Sequence, residues 1–180
     1  AFLRKITNTH EGEKIRIAAW FFTHGHNDHM AACVKLKRSW PGVFEIERVM
    51  FNFPHFCVRA ADSDIFLLKE TLRELCPGIK CLKLHTGQVI TLDNVRFEVY
   101  YTHEDAVTAE KADCYPLQDY NCSSTILKMY TGGGSVLWLG DTNVETQELV
   151  VGKIPASMWK TDVVQVAHHT FNYLSRLYPL

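Results

Sequence analysis

The sequence lacks several features that mark common classes of protein. No apolar run approaches the roughly 20 residues that a helix needs to cross a bilayer, so we predict no membrane segment. No signal-peptide pattern is visible at its start. The six cysteines form neither a C-x-x-C pair nor a regular framework, which is typical of reduced thiols in a cytosolic protein and not of a secreted disulfide scaffold. These absences favour a cytoplasmic location.

Charge and motif content narrow the possibilities further. The net charge is -1 at pH 7 and there is no long basic stretch, so the sequence carries no electrostatic footprint for nucleic acid. The Gly-x-Ser-x-Gly motif of many serine hydrolases is absent. The glycines at 132–134 are not followed by a helix or by Lys-Ser/Thr. They therefore indicate a turn and not a phosphate-binding loop.

Length and composition predict one folded unit. The chain has 180 residues, of which 47% are hydrophobic, enough for a single domain over residues 1–180 with a sizeable core. Strand and helix patterns alternate along it, which is typical of an α/β protein. The predicted strands cover residues 15–22, 44–51, 80–84, 89–92, 95–101, 124–130, 135–139 and 162–167. Helices are predicted at 63–75 and 144–151, and a long loop, of a kind that is usually functional, at 102–122.

The most informative segment is residues 23–29, which read Thr-His-Gly-His-Asn-Asp-His. His24 and His26 alternate along an extended segment, so both rings can point the same way and share one metal ion. Asp28 and His29 follow where a helix is predicted to begin, and they can reach a second ion. Four metal-binding side chains in six residues predict a metal site.

The flanking segments support this interpretation. An apolar run of strand length precedes the motif, and a helical pattern follows it until Pro-Gly at 41–42. The ligands thus lie on a turn from a strand to a helix, where α/β folds commonly place their chemistry. This order of strand, Thr-His-Gly-His-Asn-Asp-His and helix resembles the signature of the metallo-β-lactamase-fold hydrolases.

The resemblance continues in three later segments, each at the end of a predicted strand, and spans residues 15–170. Residues 136–141 resemble the family's apolar strand ending in Gly-Asp, whose carboxylate bridges two metals. Residues 162–169 resemble its last motif, a strand ending in a metal-binding His. Residues 95–103 form an alternating strand followed by a His, the usual place for a third ligand of the first metal.

The resemblance implies a complete set of metal ligands. The first metal would be held by His24, His26 and His103, the second by Asp28, His29 and His169, and both by the bridging Asp141. Catalytic roles are implied for Asp28 and for His168, which would contact the substrate oxyanion. The roles of the adjacent His168 and His169 could be reversed.

The ligand types indicate the chemistry. Imidazole and carboxylate ligands without thiolate suit zinc, and also manganese or iron. Two ions about 3.5–4 Å apart can hold a shared water whose pKa falls to about 7. The resulting hydroxide would be the nucleophile, so no Ser or Cys nucleophile is needed.

The resemblance also implies a fold. We expect a four-layer αββα sandwich, with two sheets face to face and helices outside. Members of the family usually have one or two strands before the point where this chain begins and another after the last His motif. We therefore expect the chain to be a fragment, truncated at both ends.

The substrate class rests on finer likenesses. An all-His/Asp ligand set disfavours a β-lactamase, because that branch often has Cys at the position of Asp141, and His26 disfavours the redox di-iron branch, which has Glu there. Residues 119–124, Leu-Gly-Asp and Ala-His-His most resemble the hydrolase domains linked to competence proteins and to phosphorylcholine esterases. That likeness implies a phosphodiester substrate, although Thr170 replaces a common Gly and His103 a common Pro. A thioester or other acyl substrate, and a non-catalytic metal-binding module of a larger protein, are the alternatives.

Overall fold

The computed structural model describes the protein over residues 2–54, 62–106 and 120–170. Its helices are α1 (Phe2–Ile6), α2 (Asn27–Ser39), α3 (Asp62–Leu75), α4 (Val144–Lys153) and α5 (Ala156–Trp159). Its strands are β1 (Ile15–Ile17), β2 (Trp20–Phe21), β3 (Phe44–Ile46), β4 (Arg48–Phe51), β5 (Lys80–Lys83), β6 (Val89–Leu92), β7 (Val95–Tyr101), β8 (Ile126–Thr131), β9 (Gly134–Trp138) and β10 (Val163–Gln165). Short 3-10 segments cover His103–Ala106 and Tyr120–Ser123, and Ala167–Thr170 form a kinked turn.

The two longest helices follow from the spacing of their apolar residues. Met30, Cys33 and Val34 are buried in α2, and Leu68 and Leu72 are buried in α3. Steps of three and four residues put such side chains on one face of a helix. These faces belong to one core cluster, in which fully burying a Leu side chain contributes about 1.5–3 kcal/mol. The pairing of α2 with α3 fixes the start of α2, where the histidine motif ends.

Two predicted strands are each divided in the structure. The predicted strand at 15–22 becomes β1 and β2, and that at 44–51 becomes β3 and β4. β1 pairs in parallel with β3 in one sheet, whereas β2 pairs in parallel with β4 in another. Apolar character continues across both breaks, so the periodicity of the sequence could not show where the chain changes sheets.

Two sheets carry most of the strands. The larger has the order β10-β9-β8-β7-β6, and the smaller has the order β2-β4-β5. In the larger sheet β10 runs parallel to β9 and the other neighbours are antiparallel. The smaller sheet is parallel throughout. The mixed and parallel sheets match the predicted α/β class.

The core residues show how the layers stack. Met50 of the smaller sheet packs in one cluster with Ile90, Val99 and Leu127 of the larger sheet, so the two sheets lie face to face. On the outer side of the smaller sheet, α2 and α3 pack in a second cluster with strand residues such as Val49. On the outer side of the larger sheet, α4 and α5 pack in a third. The expected αββα sandwich is confirmed.

None of the helices within the described ranges is both long enough and apolar enough to cross a membrane.

Candidate metal centre

The metal-binding side chains come from three chain segments that meet at one edge of the sandwich. The histidine motif lies between β2 and α2, Asp141 follows β9, and His169 follows β10. Because β9 and β10 are parallel neighbours, their carboxyl ends reach the same edge. The motif is joined to this edge by a hydrogen bond from the Thr125 N–H to the Thr23 carbonyl, 2.9 Å long.

Two glycines of the site lie in close contact with neighbouring side chains. At Gly25 a Cβ would lie 2.7 Å from Cδ1 of Ile65 and 3.3 Å from the ring of Tyr120, so the motif turn packs directly on α3. At Gly140 the backbone has φ +58°, and a Cβ would lie 2.8 Å from Cβ of Ser124. A side chain there would be strained as well as crowded. The Gly before Asp141 therefore lets the β9 turn approach the motif.

Side chains hold the backbone around Asp141. Its N–H donates to Oγ of Ser124 at 3.0 Å. Oε1 of Gln165 accepts the N–H groups of Leu139, at 3.0 Å, and of Gly140, at 2.9 Å. Gln165 thus continues the pairing of β10 with β9 beyond the strands themselves, and places Asp141 level with the residues that follow β10.

Four predicted ligands converge on one point. One ligand atom from each of Asp28, His29, Asp141 and His169 can be chosen so that all lie within 4.8 Å of one another. Oδ2 of Asp141 is 3.2 Å from Nε2 of His29 and 3.4 Å from Nε2 of His169. Oδ2 of Asp28 is 3.6 Å from Nε2 of His29 and 3.2 Å from Nε2 of His169. Tetrahedral zinc with bonds of about 2.0–2.1 Å separates its ligand atoms by about 3.3–3.4 Å, so these distances suit one ion.

The other two motif histidines form a second group beside the first. Nε2 of His24 lies 3.1 Å from Nδ1 of His26, again close to the spacing of two ligands on one ion. Nε2 of His24 is also 3.9 Å from Oδ2 of Asp141. Asp141 therefore lies between the two groups, and the resemblance implies that its carboxylate is the bridging ligand.

One buried polar atom favours a cation at this point. Oδ1 of Asp141 is buried and has no hydrogen-bond partner within the described ranges. Buried polar atoms are nearly always satisfied, and a bound metal would satisfy this one. The donors are imidazole and carboxylate, which zinc accepts readily. The residues present therefore fit a divalent metal.

Burial and neighbouring charges shift the pKa values of three predicted ligands. Burial, with the nearby charge of His29, lowers the pKa of His24 to about 3, so this imidazole is neutral and has a lone pair to offer. Burial alone would raise the pKa of Asp141, but contact with His29 and the charges of His24 and His169 outweigh it and lower that pKa. For His29, burial is outweighed by the contact with Asp141, and the pKa rises.

The remaining predicted ligand is His103. It is buried at the end of β7. Burial lowers its pKa, the charge of Glu104 acts in the opposite direction, and the charge of Lys83 lowers the pKa further. Over the described residues, the four-ligand group does not include it. Its role as a ligand of the first metal stays a prediction.

The structure separates the roles of the two adjacent histidines. The ring of His169 belongs to the four-ligand group, and the ring of His168 does not. The centroids of the two rings are 6.4 Å apart. Both residues have positive φ, 50° for His168 and 52° for His169. Such strained backbone in residues other than glycine clusters at functional sites. The geometry thus favours His169 as the ligand and leaves His168 for the predicted substrate contact.

Sequence reasoning missed three residues that support the ligands. Oγ1 of Thr23 contacts two ligand rings, the ring of Tyr120 packs edge-on against His26 at 5.6 Å, and Gln165 holds the turn before Asp141. Thr23 had a signal in its place at the start of the motif, and Tyr120 lies within the likeness at 119–124, whereas Gln165 had none. Of the predicted loop at 102–122, residues 107–119 lie outside the described residues.

Comparisons with known proteins find likenesses in structure only. No family model matches the chain, and no curated protein matches it either. One similar structure is a variant of CmlA, a diiron β-hydroxylase from Streptomyces venezuelae, with a single Glu-to-Asp substitution. It matches with TM-score 0.46 and 15% identity, over 92% of this chain and 30% of that one.

Two further solved structures match with lower TM-scores. The metallo-β-lactamase fold protein YhfI from Bacillus subtilis matches with TM-score 0.39 and 15% identity, over 71% of this chain and 42% of that one. A diphosphatase of the PhnP family matches with TM-score 0.38 and 15% identity, over 74% of this chain and 44% of that one. The chain spans less than half the length of each of these proteins.

Proposed function

We propose that the protein is a metal-dependent hydrolase that holds two divalent cations. Zinc is the expected metal, with manganese or iron as alternatives. The observation that carries the proposal is the position of Asp141. Its Oδ2 lies 3.2 Å from Nε2 of His29 and 3.9 Å from Nε2 of His24, so one carboxylate faces both ligand groups.

The ligand groups divide between the two cations. His24 and His26 would hold the first, with His103 as a further predicted ligand, and Asp28, His29 and His169 would hold the second. Two divalent cations bridged by a carboxylate supply acidity to a water at neutral pH and polarise the carbonyl or phosphoryl oxygen under attack. A protein nucleophile is then unnecessary, in agreement with the absence of Gly-x-Ser-x-Gly.

The protein's own residues prepare the site and meet the substrate. Asp141 stays ionised because the histidines around it lower its pKa, and it thereby offsets the positive charge of the cations. His24 stays neutral because it is buried. The side chains of Asp28 and His169 are 63% and 58% exposed, so substrate would approach from their side. His168, beside them, would donate to the oxyanion that forms as the bond breaks.

A phosphodiester is the proposed substrate. Support comes from the sequence around the site: residues 119–124 before β8, Leu-Gly-Asp after β9, and Ala-His-His after β10 resemble hydrolase domains with such substrates. The open side of the site can admit a small molecule or an exposed diester of a larger one. A thioester or another acyl compound is the alternative.

Metal analysis combined with three parallel assays tests the proposal. The purified chain would be assayed for metal content, and for hydrolysis of bis-p-nitrophenyl phosphate, a thioester and nitrocefin. We expect two bound metals, hydrolysis of the phosphodiester, and loss of activity after chelation that is restored by zinc or manganese. Metal binding without hydrolysis of any of the three would instead favour a non-catalytic module, and a chain that binds no metal would overturn the proposal.

A further inference from the structure

One hydroxyl group touches a ligand from each half of the metal centre. Oγ1 of Thr23 lies 3.0 Å from Nδ1 of His24 and 3.2 Å from Nδ1 of His29. The two imidazole rings lie close together in a tilted arrangement, with centroids 4.1 Å apart and planes inclined by 53°. His24 belongs to the first ligand group and His29 to the second, so Thr23 is shared between them.

The opposite nitrogens of these rings face the metal positions. Nε2 of His24 is directed at His26 and Asp141, and Nε2 of His29 is directed at Asp141. A neutral imidazole carries its proton on one nitrogen and a lone pair on the other. Nε2 can bind a metal in either ring only when the proton is on Nδ1, which is the atom that faces Thr23.

The chemistry of a hydroxyl suits this double contact. Its oxygen has two lone pairs and can accept two hydrogen bonds, one from each Nδ1–H. If the Thr23 hydroxyl instead donated to one ring, that ring would carry its proton on Nε2 and could not ligate. Metal-binding histidines commonly donate their second ring N–H to an oxygen that fixes the tautomer.

The surroundings of Thr23 hold the hydroxyl in place. The carbonyl of Thr23 accepts from the Thr125 N–H at 2.9 Å, which ties the residue to the start of β8. Its Cβ lies 3.1 Å from the position that a Cβ on Gly140 would occupy, so the turn before Asp141 packs against it. A β-branched residue has few χ1 choices, and these contacts restrict them further.

We propose that Thr23 is a positioning residue shared by both metal positions. Its hydroxyl oxygen accepts the Nδ1–H of His24 and of His29 at once, and so directs both Nε2 atoms toward Asp141. The inference rests on the proposed function for its purpose, but the tautomers themselves exist with or without catalysis. Its consequence is that loss of one hydroxyl weakens both metal sites together.

Three variants separate this role from a structural one. Thr23→Val removes the hydroxyl with little change of shape, and Thr23→Ser keeps the hydroxyl and loses the methyl group. Thr125→Val is the matched control, because Thr125 is fully buried nearby and its Oγ1 has no hydrogen-bond partner among the described residues. Each protein would be titrated with zinc by calorimetry. Long-range 1H–15N spectra would give the imidazole tautomers of the metal-free and zinc-loaded wild type, at a pH well above the ordinary histidine pKa of about 6.5.

The expected results are specific. In the zinc-loaded wild type both rings carry the proton on Nδ1. Thr23→Val loses about 10–100-fold in affinity for each of two zinc ions, the usual effect of removing such a partner, whereas Thr23→Ser and Thr125→Val bind zinc as the wild type does.

Other results would overturn the inference. These are a zinc-loaded wild-type ring with its proton on Nε2, wild-type zinc affinity in Thr23→Val, or weakening of only one ion. If Thr23→Val does not fold, the tautomers of the wild type and zinc binding by Thr23→Ser decide the matter. A wild type that binds two zinc ions and hydrolyses nothing would refute the proposed activity and leave the role of Thr23 intact.

Discussion

Nε2 of His29 and Oδ2 of Asp141 lie 3.2 Å apart, although the two residues are far apart in the sequence. His29 stands in the first turn of α2, over the smaller sheet, and Asp141 follows β9 of the larger sheet. Their contact therefore joins the two halves of the sandwich at the metal centre. The integrity of this contact should decide both metal binding and activity.

The first prediction concerns Asp141 itself. Asp141→Ala should abolish hydrolysis and weaken the binding of both metals, because no carboxylate would then face both ligand groups. Asp141→Asn should retain some metal, since the amide oxygen can still ligate. Metal content and hydrolysis rate, measured on the same preparations, check this. Full activity in Asp141→Ala would rule out the two-metal assignment.

The second prediction tests His103. If it completes the first metal's ligands, His103→Ala should lower the affinity of the first ion much more than that of the second, with a neighbour such as Glu104 orienting the ring. Zinc titration that resolves the two ions provides the measurement, and His10→Ala, on the exposed surface, serves as the control. Unchanged stoichiometry and affinity would make His103 a pocket residue and remove it from the ligands.

The third prediction concerns the turn before Asp141. Gly140→Ala should destabilise the protein by about 2–5 kcal/mol, since it adds backbone strain to a clash in a packed core. Gly42→Ala should change stability little, because nothing lies within 4 Å of a Cβ at Gly42. Denaturant unfolding of the two variants measures the difference. Equal stability would show that the turn at Gly140 can relax without cost.

The fourth prediction concerns the pH dependence of stability without metal. Burial lowers the pKa of His24 from 6.5 to about 3. Between these two pH values His24 is therefore protonated in the unfolded chain and neutral in the folded protein. Stability should therefore fall as the pH drops from about 6.5 toward 3, by up to about 1.4 kcal/mol per pH unit for this one group.

Other groups at the site change stability elsewhere on the pH scale. Because the pKa of His29 is raised, its contribution to stability is lost as the pH rises above 6.5. Because the pKa of Asp141 is lowered, its contribution is lost as the pH falls below the ordinary pKa of an Asp side chain. Unfolding of the chelator-treated protein between pH 4.5 and 6.5, in wild type and His24→Gln, would isolate the effect of His24. A His24→Gln protein with an unchanged slope would contradict this account, and His10→Gln is the matched control.

Much of the fold could be predicted because it is local. The periodicity of apolar residues located α2, α3 and α4 and the strands of the larger sheet, since side-chain spacing alone distinguishes a helix from a strand. The same reasoning failed at 15–22 and 44–51, where each apolar run proved to be two strands in different sheets. Strand pairing depends on segments that are distant in the sequence, so the local spacing of apolar residues cannot predict it.

The candidate site divides in the same way. The motif at 23–29 determined by itself that metal-binding side chains stand together, because neighbours in sequence cannot separate in space. Only the tertiary structure decided that Asp141 and His169 complete the group around His29, because that depends on the parallel pairing of β9 with β10. Tertiary packing likewise placed His103 near Lys83. It also set the hydroxyl of Thr23 between two rings, since hydrogen bonds depend on distance and direction and not on residue type.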